Sequence, residues 1–501
     1  MPGTARTGIN PSRLDLGSPA AERDIKRGLA DYFIESDAFR RVQRAEKMVI
    51  LGNRGAGKSA IFQVLAQRER EAGTHVIELA PEDYSYELLS RTMLAESQGS
   101  WAKLGAYAVA WKYLLYVLVM QELAKKGPRL RKGPAADIYR YLRDHHVGGA
   151  TSKLSALISY LKRLEGVKVG PYEASLRTRE LEKLYKLSEI APLFPNLRQV
   201  LQREKVVVLV DELDRGWDAS EDAKAFVAGL FQACMSINEL SEHLRVYISL
   251  RKELYDNIPA LYEDAQKLRD VIEVISWDEG SLLALIGARV RHSLPELQRA
   301  DDQRAWELVF GRAVTEPPVR SFQFVVDRTL HRPREIIQFC AEAVAEARDR
   351  DVRLPGAGDL LPQVELRYSE ERAKDIAAEY RFQYPGLLGM FDVFRGGGRH
   401  LDRDELALTC LEIATGPTVN RSASAWLEDL EPDALIEILW QVGFLQAEAA
   451  VGAVARRGGG SFLGAYQVGN LNLHTIRRFR VHPMFWAYLG LKADHQPAAR
   501  G

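Results

Sequence analysis

What this 501-residue chain lacks narrows its chemistry first. It holds three cysteines, Cys234, Cys340 and Cys410, which are far apart and follow no metal-ligand spacing. That excludes a disulfide framework and a zinc module and fits a reducing cytoplasm, the expected localisation. There is no excess of one charge, with 68 Lys+Arg against 68 Asp+Glu, so bulk charge does not make the chain a polyanion binder. The opening MPGTARTGINPSRLDLGSPAAERD contains no apolar stretch of the kind a signal peptide needs. A single segment, AYAVAWKYLLYVLVM (106–120), is apolar all round. It is short for a bilayer span, carries Lys112 in its middle, and has no second span to bring the chain back. It reads as a buried helix, and no membrane partner is expected. Internal repeats and long low-complexity tracts are also absent.

Hydrophobic content of 46% and charged content of 27% are those of a soluble globular protein. The length suggests roughly three domains. Residues 1–20 are rich in Gly, Pro and Ser and read as a flexible tail. Residues 22–44 have apolar positions at helical spacing and read as one or two amphipathic helices. Short apolar runs at KMVIL (47–51), HVIEL (75–79), VVVLV (206–210), RVYISL (245–250) and VIEVI (271–275) read as buried strands. Helical stretches separate them, the alternation of an α/β parallel sheet covered on both faces. Residues 21–276 form this core, interrupted at about 82–202 by a helical insertion. Its part from Lys125 to Lys186 holds fifteen Lys+Arg against six Asp+Glu, which gives it a basic surface. Residues 277–384 read as a helical lid with a charged connecting helix at 366–384. Residues 385–492 carry three helices (401–414, 422–430, 431–445), then a hairpin tipped by RRGGGS (456–461), a winged-helix-like pattern. Residues 493–501 read as a second tail.

The chemistry begins at GNRGAGKS, between the run ending at Leu51 and a helix-forming stretch. It fits Gly, four residues, Gly-Lys-Ser, in the strand–loop–helix context that a phosphate-binding loop requires. Gly52, Gly55 and Gly57 let the backbone curl so that the N–H groups of Asn53, Arg54, Ala56 and their neighbours point inward. The helix starting at Lys58, Ser59 and Ala60 adds the positive end of its dipole. Lys58 would reach the β- and γ-phosphates, and the Ser59 hydroxyl would bind Mg²⁺. VVVLVDELD supplies the second part. Asp211 emerges at the carboxyl edge of a buried strand, where open α/β sheets bind ligands. Asp211 would hold the Mg²⁺ and Glu212 would polarise the attacking water, while Asp214 is expected to cap the next turn. RVYISLR brings Ser249 and Arg251 beside the third phosphate. HRPRE starts a helix at Pro333, so that Arg332 or Arg334 would reach the nucleotide from a lid.

With these stretches on the page, the chain resembles the branch of AAA-type P-loop ATPases that includes Orc/Cdc6 initiators and STAND signalling switches. ADYFIESDAFRRV (30–42), DELDRGW (211–217) and RPREIIQFC (332–340) resemble bacterial ATPases labelled FunZ proteins. The long insertion is similar to that of KAP-type ATPases, which carry membrane helices there. The resemblance implies ATP and Mg²⁺ as cofactors, an ASCE-type sheet, and catalytic roles for Lys58, Glu212, Arg251 as sensor and Arg334 as lid arginine. Arg215 and Arg269 are the arginine-finger candidates. The function so implied is an ATP-hydrolysing molecular switch in bacterial defence or signalling. Its nucleotide state would set the geometry between domains and control homo-oligomer assembly or binding of a separate effector.

The alternative is a DNA-associated ATPase of replication-initiator or loader type, with the basic insertion and wing gripping a nucleic acid backbone. Against it, the exposed positions of the would-be recognition helix, Asp433, Glu437 and Gln441, include no Lys or Arg. Arg456, Arg457, Arg477, Arg478 and Arg480 remain as backbone contacts.

Overall fold

The computed structural model describes residues 8–79, 100–125, 133–146, 187–214, 217, 219–263, 269–415, 425–427, 430–448, 462–469 and 471–493. Two compact units emerge, one built from residues 21–30 and 35–276, the other from 1–20, 31–34 and 277–501.

The first unit is organised by the apolar runs. β1 (Val49–Gly52), β2 (His75–Leu79), β3 (Val206–Val210), β4 (Leu244–Arg251) and β5 (Ile272–Val274) form one sheet in the order β2-β3-β4-β1-β5. Every neighbouring pair in it is parallel. β1 and β3 are buried along their whole length, as apolar runs between two neighbours should be. Helices Lys58–Glu71 and Glu221–Asn238 follow β1 and β3. Ser220 starts the second, its hydroxyl accepting from the Ala223 N–H at 3.1 Å. The amphipathic stretch before β1 breaks into the short helices Ala21–Asp24 and Asp37–Gln43 with two 3₁₀ turns, and Gly28 in the left-handed region (φ 96°) ends the first of those turns.

The apolar segment lies in helix Ser100–Ala124, with Trp111, Tyr107 and Tyr113 fully buried. Trp111 donates its indole N–H to the Phe226 carbonyl at 3.2 Å. Gly229 lets the Glu221–Asn238 helix approach closely, because a Cβ there would stand 2.7 Å from Tyr107 Cβ and 2.8 Å from the Ala108 nitrogen. Among the described residues no helix is long and apolar enough to cross a membrane. Most of the basic 125–186 stretch lies outside the described residues.

In the second unit, Asp278 and Asp301 cap helices Glu279–Ser293 and Asp302–Phe310, each side chain accepting from an N–H three residues on at 2.7 Å. Helices Pro333–Asp349 and Leu361–Glu379 complete a core around Trp306, Phe310 and Tyr368, and a two-stranded ladder joins Ala313–Val314 to Val319–Arg320. The connecting helix is therefore Leu361–Glu379, beginning earlier than the expected 366, with Pro362 in its first turn. Residues expected in a flexible tail belong to this core. Leu14 and Leu16 are buried in it, and Arg289 and Arg348 donate to the carbonyls of Leu16 and Leu14.

Among the described residues beyond Tyr384 the α-helices are Leu387–Val393, Arg403–Thr415, Pro432–Gln441 and the short Trp486–Leu489. An antiparallel sheet follows the order Phe462–Leu463, Leu445–Glu448, Arg478–Val481, His400–Asp402. The strand at Leu445 takes over where a helix was expected to run on. Of the expected helix at 422–430, the described residues are a single 3₁₀ turn, Ala425–Leu427, and Leu430, which is not helical. The glycine tip at 456–461 lies outside the described residues.

Replacing Gly229 by Ala should drive the two buried helices apart and cost about 1–3 kcal/mol. Urea denaturation of the full chain checks this, with a lower midpoint expected. An unchanged midpoint would contradict the close helix contact.

Candidate functional site

Gly52 ends β1, and residues 53–57 carry the chain to the helix Lys58–Glu71. Gly55 (φ 81°) and Gly57 (φ 98°) occupy the left-handed region that side chains disfavour, so the loop's curl requires glycine at both places. Gly52 is needed for a different reason. A Cβ there would meet Ala56 Cβ at 3.2 Å and Ile275 Cβ at 3.4 Å, which crowds the loop where it leaves the sheet. Ser59 and Ala60 lie in the first helical turn beside Lys58, where the amides have no intrahelical partner. Lys58 folds back over the loop and donates to the carbonyls of Gly52 (2.7 Å) and Asn53 (3.1 Å). Burial pushes the Lys58 ammonium below its ordinary pKa, while the carboxylates of Glu253, Asp211 and Asp214 pull it back up.

The sheet register brings the other residues to the same edge. β1 pairs with β4 so that Gly52 lies directly across from Arg251. On the far side of β4, the last ladder pair with β3 is Val210 with Ile248, which leaves Asp211 beside Ser249. The buried Ser249 donates its hydroxyl to Asp211 Oδ1 at 2.5 Å. The Asp211 N–H continues the ladder to the Leu79 carbonyl at 3.0 Å, so both backbone and side chain are fixed. Glu212 follows at φ 58° and donates its N–H to Asp211 Oδ1 at 2.8 Å. A non-glycine residue in that region is uncommon and costs of order 1–3 kcal/mol, a strain that clusters at functional sites.

Asp214, expected to cap a turn, has a different role for its side chain. Asp214 Oδ2 forms an ion pair with Arg251 Nη2. The other terminal nitrogen of Arg251 lies 3.8 Å from Glu253 Oε1. Sequence reasoning missed Glu253 as part of this cluster. The available signal was an acid two residues past Arg251, matching the acid that follows the adjacent strand. Among the described residues no three His, Cys, Asp or Glu side chains form a metal cage. A divalent ion here would rest on Ser59, Asp211 and phosphate oxygens.

The lid candidates separate in the second unit. Arg332 is buried, donates to Glu379 Oε2 at 2.7 Å and stands 3.7 Å from Glu335 Oε1. Glu335 in turn accepts from the Leu330 N–H at 2.6 Å. Arg332 thus ties the start of helix Pro333–Asp349 to the end of helix Leu361–Glu379 and is consumed by structure. Arg334 is half-buried in the first turn of the former helix. Of the arginine-finger candidates, Arg269 precedes β5 and accepts at its carbonyl from Lys47 at 3.4 Å, and Arg215 lies outside the described residues.

On helix Pro432–Gln441, Asp433, Glu437 and Gln441 are exposed, and Asp433 accepts from Arg403 at 2.7 Å. Arg478 pairs with Glu448 at 3.4 Å and Arg480 donates to Gln446 at 2.6 Å, while Arg477 is exposed. Arg456 and Arg457 lie outside the described residues.

Residues 280–377 match the FunZ-associated C-terminal helical domain family. Over 493 residues the chain is 24% identical to the "putative transposon gamma-delta 80.3 kDa protein" of Escherichia coli (strain K12), covering 96% of this chain and 67% of that one. A solved structure, the Aeropyrum pernix Orc1 protein in complex with DNA, aligns over 89% of this chain and 88% of its own at 12% identity and a TM-score of 0.33, too distant to decide the fold.

Removing Arg332 by alanine leaves Glu335 and Glu379 buried without their cation, and should cost about 3–5 kcal/mol. Arg334→Ala, at a half-buried position, should cost less than about 1 kcal/mol. Chemical denaturation of both variants checks the contrast, and equal losses would contradict the structural role given to Arg332.

Proposed function

We propose that the chain is a Mg²⁺-dependent ATPase of the P-loop class, working as a molecular switch. The observation that carries this reading is the pairing of Gly52 with Arg251 across β1 and β4, with Asp211 held beside Ser249 on the same sheet edge. One edge thereby gathers a glycine-curled anion cradle, two cations and a fixed carboxylate.

The donor set fits a magnesium triphosphate. The amides from Asn53 to Ala60 would face phosphate oxygens, and Lys58 would exchange its bonds to the loop carbonyls for bonds to the β- and γ-phosphates. Ser59 and Asp211 would hold Mg²⁺, which when bound neutralises charge on the phosphate oxygens. Glu212 would orient the attacking water, and Arg251 would meet the third phosphate. The sheet itself is five parallel strands within an α/β unit, the arrangement expected of an ASCE-type core.

As a switch, the chain would convert nucleotide state into a change between its two units, with Arg334 as the lid arginine of the second. Support for this part is the division of the chain at residues 276 and 277 and the match of the following segment to a helical domain named for its association with FunZ. The C-terminal helices and sheet would form a winged-helix-like module, and the output would be assembly of further copies or binding of a separate effector. The acidic exposed positions on Pro432–Gln441 favour a protein contact over DNA there, since carboxylates repel phosphates.

Two variants test the reading. Lys58→Ala should abolish binding of a fluorescent ATP analogue. Glu212→Gln should keep binding and lower phosphate release at least about a hundredfold, the loss typical of a positioned general base. Hydrolysis by Glu212→Gln at the wild-type rate would remove that residue from its role, and wild-type nucleotide binding by Lys58→Ala would remove the loop from its own.

A further inference from the structure

Arg251 is engaged by two carboxylates. Its Nη2 contacts Asp214 Oδ2, and these two side chains are only 20% and 22% exposed. Its Nη1 faces Glu253, whose side chain is 9% exposed, at 3.8 Å. Both carboxylates come from segments that leave adjacent strands at the same edge, Asp214 in the turn after β3 and Glu253 in the helix Lys252–Asp256 that follows β4. The ladder partner of Arg251 is Gly52, the first residue of the cradle. Two cations, Lys58 and Arg251, therefore share their field with three carboxylates, Asp211, Asp214 and Glu253.

We propose that Asp214 is a restraining residue for Arg251, holding the guanidinium until a third phosphate takes it. The proposal rests on the triphosphate reading of the site. Its physical content is a competition between two anions for one guanidinium fork. A γ-phosphate brought against Arg251 also comes against Asp214, and like charges at that distance repel unless the ion pair opens. On the triphosphate reading a diphosphate, lacking the third phosphate, would meet no such cost. Asp214 thus weakens binding of the triphosphate specifically, and couples arrival of the third phosphate to opening of its pair with Arg251 at the end of the segment 211–214. That segment begins with Asp211 and Glu212, the latter in a strained left-handed conformation.

The test is equilibrium binding of a non-hydrolysable ATP analogue and of ADP, each with Mg²⁺, to four full-length chains. These are wild type, Asp214→Asn, Arg251→Gln and the double variant. Asp214→Asn should tighten the triphosphate analogue about three- to fivefold, the upper scale of a partly exposed ion pair, and leave ADP within about twofold. In the Arg251→Gln background the same change should do nothing, because no guanidinium remains to be restrained. Asp214→Ser carries the same expectation and replaces Asp214→Asn should that chain not fold.

An equal shift for both nucleotides, weaker triphosphate binding, or an effect that persists without Arg251 would each overturn the proposal. Any of those results in the variants, with wild type binding nucleotide, sinks this inference alone. Wild type that binds neither nucleotide sinks the triphosphate reading and this inference with it.

Discussion

The candidate site depends on the register of β4 between β1 and β3. β4 carries Ser249 and Arg251 at alternate positions near its end, and the two ladders decide what each meets. A slip of one residue in a parallel ladder would turn every side chain to the opposite face. Val49, Ile50 and Leu51 on β1, with Val206 to Val210 on β3, are buried and resist such a slip, because it would exchange their packing partners. The hydrophobic core thus sets the positions of the charged groups at its edge. Gly52 meets Arg251 because Val49 meets Ile248, three residues earlier in the same ladder.

Two arginine clusters in the chain show how burial decides what a charge is for. Arg332 has carboxylate partners on two helices and is buried with them, an arrangement in which loss of one member leaves the others stranded. It is a structural tie. Arg251 is also paired with two carboxylates, but at the open carboxyl edge of a sheet and beside a glycine loop, where an incoming anion could compete for it. In the proposed reading this difference is functional. The tie fixes one helix to another, whereas the clamp exchanges one anion for another and reports the exchange to Asp211 and Glu212.

Much of this could be read in the sequence because the relevant signals are local. Five apolar runs of strand length, bounded by polar residues, gave all five strands of the parallel sheet. GNRGAGKS announces its own conformation, since only glycine suits the φ values at Gly55 and Gly57. What stayed hidden depends on distant partners. The pairing of Asp214 with Arg251 needs the β3–β4 register, which the two segments do not encode separately. Arg332 and Arg334 look alike in HRPRE, and only Glu379 at the end of another helix sets them apart. The strand Arg478–Val481 reads RFRV, two apolar residues among arginines, and gains its strand character from ladders to Leu445–Glu448 and His400–Asp402. Leu14 and Leu16 sit among glycines and prolines that suggest a loose tail, and their burial depends on a core formed by residues beyond 281.

The central claim is that the amides of the glycine loop and the segment after β3 meet the phosphates of one nucleotide. Amide hydrogen exchange of the full chain, with and without ATP and Mg²⁺, tests it most directly. The account predicts slowed exchange at residues 53–60 and 211–214 together, and less slowing at 211–214 when ADP replaces ATP. Unchanged exchange in both segments at saturating ATP and Mg²⁺, or protection confined to the C-terminal helices, would contradict it.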